Sequence, residues 1–376
     1  MISRRTSVRR SAKAAVWVIA SATLGAAVSM AVSIFQERDT AASGAKPVEG
    51  GGAHGRPGMM WIPGGKFWMG SQDRFAKFNE RPAHRVQVHG FWMDKTPVTN
   101  AQFAAFVAAT GYVTTAERAP SWEELKVQLP EGTPRPSDDV LVPGAMVFVG
   151  TEAPVDLSDY SQWWRYVPGA NWQHPQGPTS SVDGKGGFPV VQVSYEDAQS
   201  YARWAGKRLP TEAEWEFAAR GGLGQATYAW GDEFAPQGQK MANVWEDSAH
   251  PFPVTNEQSE GAHGTSHVCT FPINGYGLCD MTGNVWQWVA DWYRADAFAL
   301  AVRQPQPIDP QGPTDSYDPD EPGIPVHAPK RVIRGGSFLC SREYCLSYRP
   351  SARRGNDPFS SMSHIGFRLV LDESLR

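Results

Sequence analysis

Charge of one sign is scarce in this chain, where 35 Lys and Arg stand against 39 Asp and Glu for a formal net charge of −4. That balance offers no basic surface, which excludes nucleic acid as a partner class. The familiar catalytic signatures are missing too: there is no G-x-S-x-G elbow, no H-E-x-x-H and no P-loop. The nine His are scattered, and single ones such as His174 and His267 read as structural or solvated. No repeat occurs at a spacing of about 20–50 residues. Cysteine is rare, confined to Cys269, Cys279, Cys340 and Cys345.

What is abundant is Trp, Gly and Pro, at 15, 37 and 30 residues, which predicts many turns and short elements with large apolar side chains packed between them. Arg4, Arg5, Arg9, Arg10 and Lys13 form a basic N-terminal region, and no charge follows from Ala14 to Phe35. That run is long enough to span a bilayer and equally suits a secretory h-region. Residues 1–35 therefore read as a signal peptide or a membrane anchor through 14–35, with the remainder exported. Residues 36–56, rich in Gly, Ala and small polar residues, read as a flexible linker, and 57–372 as one folded domain. In an oxidising, extracytoplasmic compartment four cysteines suggest two disulfides.

Along the folded part, Met59 opens a strand–turn–strand pattern, and Val86 to Asp94 alternates like a further strand. Thr99 and Asn100 offer an N-cap to a helix over 101–107. A second helix is expected at 194–205, closed by Gly206, and a third from Thr211 to about Arg220, with Thr211 and Glu214 in capping-box spacing. Beyond Gly221-Gly222 the sequence reads mostly as turns, with a Pro- and Asp-rich surface loop at 302–328.

The sharpest local feature is the stretch from Gly335 to Cys345, which carries a C-x4-C pair. Its spacing is not that of a structural zinc knuckle. Two readings remain open: a local disulfide, or a pair of soft thiolates for Cu(I). Two other stretches could present oxygens to a hard cation such as Ca(II): Asn243-Val244 with Glu260 to Ala262, and Asp280 to Gln287. Asp and Asn in turns are ordinarily turn formers, and these stretches are read against that background.

Several motifs together resemble the formylglycine-generating enzymes. They are Gly169-Ala170-Asn171-Trp172-Gln173-His174-Pro175, the run Arg208-Leu209-Pro210-Thr211-Glu212-Ala213-Glu214-Trp215-Glu216, Asn274-Gly275-Tyr276-Gly277, Gly283-Asn284-Val285-Trp286 and Gly366-Phe367-Arg368. The resemblance covers about residues 57–371. It implies a single α+β domain with little regular secondary structure, a C-type-lectin-like variant. It also implies oxidation by O2 of a cysteine in a Cys-x-Pro-x-Arg segment of a client sulfatase, bound as an extended peptide, by a monomer.

On the same resemblance Cys340 and Cys345 hold Cu(I) as the catalytic pair, while Trp286, Ser337, Tyr344 and His364 line the substrate cleft. One calcium site would use Asn243, Val244, Glu260 and Ala262, and another Asp280, Gly283, Val285 and Gln287. This chain departs from the pattern at Gln287, where a Glu ligand is usual, and at Glu260, where Asp is more usual. It departs also at His364, where some relatives carry Asn, and at Pro350, a disulfide cysteine in animal relatives. Cys269 and Cys279 are not family landmarks and are candidates to pair with each other. The competing reading is a non-catalytic lectin-like binding module, because fold alone does not fix function.

Overall fold

The computed structural model describes residues 56–373, apart from 247–249, 256–263 and 304, together with a short strand at 48–49. The expected signal or anchor lies outside the described residues. Among the described residues no helix is long and apolar enough to cross a membrane.

Among the described residues twelve strands and five α-helices follow in order: β1 (Val48–Glu49), β2 (Met59–Ile62), β3 (Gly65–Met69), β4 (His84–Val88), β5 (Phe91–Asp94), α1 (Asn100–Thr110), α2 (Trp122–Lys126), β6 (Gly144–Phe148), β7 (Trp164–Pro168), α3 (Tyr195–Trp204), α4 (Glu212–Arg220), β8 (Trp286–Trp292), α5 (Ala297–Ala301), β9 (Arg331–Arg334), β10 (Arg353–Asn356), β11 (Ile365–Phe367) and β12 (Val370–Asp372). Two four-stranded sheets run in the orders β1-β2-β5-β12 and β10-β9-β8-β11, beside the β3-β4 and β6-β7 hairpins. Strand β11 lies parallel to β8, and the other pairings are antiparallel. This is an α+β architecture of short elements, as the Gly, Pro and Trp content predicts.

Three helices start where the capping residues place them. Thr99, Ser194 and Thr211 each accept the N–H of the third helical residue, whose own side chain returns to the cap. Gly111 and Gly221 end α1 and α4 in the left-handed conformation. Helix α4 is buried along all nine residues, carboxylates included. Buried charge must be paired. Glu212 meets the Arg353 and Arg334 guanidiniums at 2.6 and 2.9 Å, and Glu216 meets Arg334 and Arg220 at 2.5 and 2.7 Å. Burial opposes ionisation of Glu212, yet those two guanidiniums hold its carboxyl below its usual range.

Three expectations are sharpened by the structure. The alternating run from Val86 to Asp94 is two strands in different sheets, because the chain turns at His89-Gly90. A Cβ on Gly90 would lie 2.5 Å from the Trp61 ring, so only glycine fits there. The tether is shorter than 36–56, since Val48 and Glu49 pair with Trp61 and Met60. The stretch after Gly222 is mostly turns, as expected, yet it also holds β8–β12, which build one sheet and close the other. Those strands escape detection because β11 and β12 are three residues each and β10 is Arg-Arg-Gly-Asn, too short or too polar to alternate.

Candidate active site

The Cys340–Cys345 loop leaves β9 through Gly335 and Gly336, both at positive φ (95° and 69°). Side chains there would strike Met281 O at 2.7 Å and the Ser347 backbone at 2.9 Å. The fully buried Ser337 then sets the turn. Its carbonyl accepts the Cys340 N–H (2.9 Å), and its Oγ accepts that of Leu339 (3.3 Å). Ser341 repeats the device, its Oγ taking the Tyr344 N–H and its carbonyl those of Cys345 and Leu346. Trp245 N–H donates to the Cys340 carbonyl at 3.1 Å. Both cysteines are buried, at 1% and 3% exposure, and their Sγ atoms are joined as a disulfide. The sequence left disulfide and thiolate pair open, and the structure shows the first arrangement of the same two atoms. The donor set fits Cu(I) once reduced: two soft thiolates side by side, shielded from hard ligands by apolar neighbours.

The other expected cleft residues gather around this loop. Tyr344 lies flat on Phe252, ring centroids 4.5 Å apart, and meets Trp163 edge-on at 5.6 Å. His364 Nδ1 lies 3.4 Å from Ser337 Oγ, and the His364 carbonyl accepts the Trp286 N–H at 2.9 Å. Burial, with the nearby Arg354 guanidinium second, pushes the His364 ring down to about 3. It is a neutral imidazole at physiological pH. Ser337 and Trp286 are buried behind the loop, while Tyr344 and His364 keep partial exposure. Sequence reasoning missed Trp164, whose ring packs edge-on against His364. The adjacent Trp163-Trp164 pair was the available signal.

A separate cleft of 580 Å³ is lined by Met146, Tyr160, Tyr166 and Ser361 among others, and by none of Cys340, Cys345, Trp286, Ser337, Tyr344 or His364. Met146 N–H donates to the Ser361 carbonyl, and Ser361 lies three residues before His364, a span of no more than about 10 Å. The Ser361 hydroxyl is buried with no hydrogen-bond partner. Three carboxylates line the cleft: Glu124, Glu321 and Asp357. Glu321 is paired with Lys330. Asp357 is bonded to neutral donors, the Gln128 amide (3.1 Å) and the Phe359 N–H (2.9 Å). Burial, helped by Glu124 and Glu321, pushes its carboxyl up to about 6.

The expected calcium residues fare differently. Asn243 and Val244 are buried beside Asn284, with Asn243 Nδ2 donating to the Gly264 carbonyl at 2.8 Å. Their partners Glu260 and Ala262 lie outside the described residues. Asp280, Gly283, Val285 and Gln287 do share one turn into β8, but the Gln287 oxygen is already taken. It accepts from Trp215 Nε1 (3.0 Å) and Arg368 Nε (2.7 Å). The second site does not fit calcium as composed. Cys269 and Cys279 form a disulfide.

A family model described as the sulfatase-modifying factor enzyme 1-like domain matches residues 48–373. The chain belongs to that family. It is 47% identical over 318 residues to the formylglycine-generating enzyme of Mycobacterium tuberculosis, an alignment covering 84% of this chain and 97% of that one. It is also 35% identical over 315 residues to the mouse (Mus musculus) protein named inactive C-alpha-formylglycine-generating enzyme 2, covering 83% of this chain and 85% of that one. Among solved structures, PvdO from Pseudomonas aeruginosa superposes with a TM-score of 0.50 at 23% identity, covering 84% of this chain and 94% of that one, a likeness of fold alone. Because the family holds both active and inactive proteins, activity has to be argued from the site.

Proposed function

We propose that this chain is a formylglycine-generating enzyme that converts a cysteine in a Cys-x-Pro-x-Arg segment of a client sulfatase to formylglycine, with O2 as oxidant. The observation that carries the reading is the buried Cys340 and Cys345 pair, its Sγ atoms joined in a loop whose turns Ser337 and Ser341 set. Reduced, these two thiolates would hold Cu(I), which would supply the thiolate-binding and O2 chemistry that side chains do not offer. The Ser337 and Ser341 turns fix the spacing of the pair, and the aromatic wall of Trp163, Phe252 and Tyr344 excludes water around it. His364, too weak a base to keep a proton, presents a neutral hydrogen-bonding ring to the incoming thiol and adds no charge. The client's Arg, four residues beyond its Cys and up to about 13 Å away, reaches the cleft. There Asp357 is a half-buried carboxylate bonded to neutral donors.

Overall balance requires the client thiol, one O2 and two reducing equivalents from a thiol-class reductant, and gives the aldehyde, hydrogen sulfide and water. The protein acts outside the cytoplasm as a monomer, with residues 14–35 serving as signal or anchor. Calcium at the Asn243 site is part of this reading.

The test is mass spectrometry of a Cys-x-Pro-x-Arg peptide after incubation with reduced, copper-loaded protein and O2. A loss of about 18 Da, thiol exchanged for aldehyde, is expected. No loss, with copper bound and both thiols free, overturns the reading. The Cys340–Cys345 bond favours a second reading, a lectin-like binding module in which that disulfide is permanent. Free-thiol mass spectrometry of protein taken from its own compartment separates the two.

A further inference from the structure

The turn from Cys269 to Gln287 is held together at the place where the resemblance expects a calcium ion. Gln287 is fully buried at the second position of β8, and both ends of its amide are engaged. Its oxygen takes the Trp215 and Arg368 donors, and its Nε2 donates to the Asp280 carbonyl at 2.8 Å. Calcium takes about six to eight oxygens. Here the amide turns N–H, not oxygen, towards the turn. Arg368 ties the same turn to its surroundings. Its Nη2 donates to the carbonyls of Cys279 (2.6 Å) and Asp280 (3.0 Å), and its Nη1 reaches those of Asp94 and Lys95. The Arg368 guanidinium is fully buried against these carbonyls. The carboxylate of Asp280 is held by the Cys269 N–H at 2.8 Å, and Cys269 is bonded to Cys279, the residue before Asp280.

We infer that this turn binds no calcium and is clamped instead by the Cys269–Cys279 disulfide and the buried Arg368–Gln287 pair. The disulfide joins the two ends of the loop, and the guanidinium supplies the positive charge that a metal would bring to the same carbonyls. Two departures of this chain from its family, Gln287 and the Cys269–Cys279 pair, thus sit in one hydrogen-bonded unit. Trp286, beside the candidate active site, is the next residue to Gln287. Its wall therefore answers to reductants rather than to chelators. This inference goes beyond the oxidase reading and does not depend on it.

The test uses the full chain and no turnover assay. Calcium per chain is measured by equilibrium dialysis with elemental analysis. Wild type is expected to bind one ion at most, and Gln287→Glu to gain one, since a second carboxylate oxygen then faces the turn. Two ions in wild type, or no gain in Gln287→Glu, overturns the inference. The clamp is read separately by melting. Cys269→Ser/Cys279→Ser is expected to lower Tm by about 5 °C, with calcium restoring it only when Gln287→Glu is also present. An unchanged Tm, or rescue by calcium in the Gln287 background, contradicts the disulfide's part.

Discussion

The His364 ring stands edge-on against Trp164, centroids 4.7 Å apart and planes at 71°. Burial, with the Arg354 guanidinium nearby, keeps the imidazole neutral well into acid. The folded-state value is depressed below the unfolded one near 6.5, so protonation favours unfolding. Stability present above pH ~6.5 is then lost as pH falls towards about 3. Measured by Tm against pH, His364→Asn is expected to lose less than wild type across that window. Parallel curves would show that His364 is not the buried group.

The state of the Cys340–Cys345 bond sets metal uptake. Protein as the disulfide is expected to bind no Cu(I), and reduced protein one ion per chain, read by competition with a chromophoric Cu(I) chelator. Cys340→Ser and Cys345→Ser are each expected to fold with unchanged far-ultraviolet dichroism and to lose Cu(I) affinity by at least about a hundredfold, the loss of one of two soft ligands. Uptake by the serine variants would move the metal elsewhere.

Asp357 makes a prediction about client choice. Asp357→Asn is expected to raise KM for a Cys-x-Pro-x-Arg peptide about tenfold while leaving a peptide with citrulline in place of Arg unchanged, since one charge-assisted hydrogen bond is at stake. Because its carboxyl is raised to about 6, wild-type KM for the Arg peptide should climb as pH falls below that value. An equal effect on both peptides would place the client's Arg outside this cleft.

The buried ion pairs of α4 carry stability. Glu216 accepts from Arg334, Arg220 and the Gly70 N–H, all within the core. Glu216→Gln leaves two buried guanidiniums short of a counter-charge, which costs about 3–5 kcal/mol in urea unfolding. The exposed Arg118–Glu196 pair is the control, and Arg118→Ala should cost no more than about 1 kcal/mol. Similar costs for the two variants would refute the role given to burial.

Helix starts were legible because Thr99, Ser194 and Thr211 each satisfy backbone N–H groups through local chemistry that the sequence displays. The Cys340–Cys345 loop was legible through its glycines and spacing, although the oxidation state of two sulfurs is not written in a sequence. Two things were not legible. The pairing of β8 with β11, or of Glu212 with Arg353, joins residues far apart in the chain, and neither periodicity nor composition records a partner. At Gln287, residue type alone marked a weakened calcium ligand. Only the placement of Trp215 and Arg368 shows its amide oxygen fully used.

Strand β12 pairs Val370 with Met93 and Asp372 with Phe91, and a backbone bridge joins Val370 to Arg208. The sheet begun by β2 and β5 therefore waits for a strand that is made after Cys345. A chain made only as far as Cys345 still lacks His364, β11 and β12, and with them the parallel neighbour of Trp286 in the sheet. Its two thiols meet the surrounding medium before their pocket exists, so the order of synthesis itself favours early bonding between Cys340 and Cys345. A reductant acting after folding then becomes part of the protein's maturation rather than a laboratory convenience.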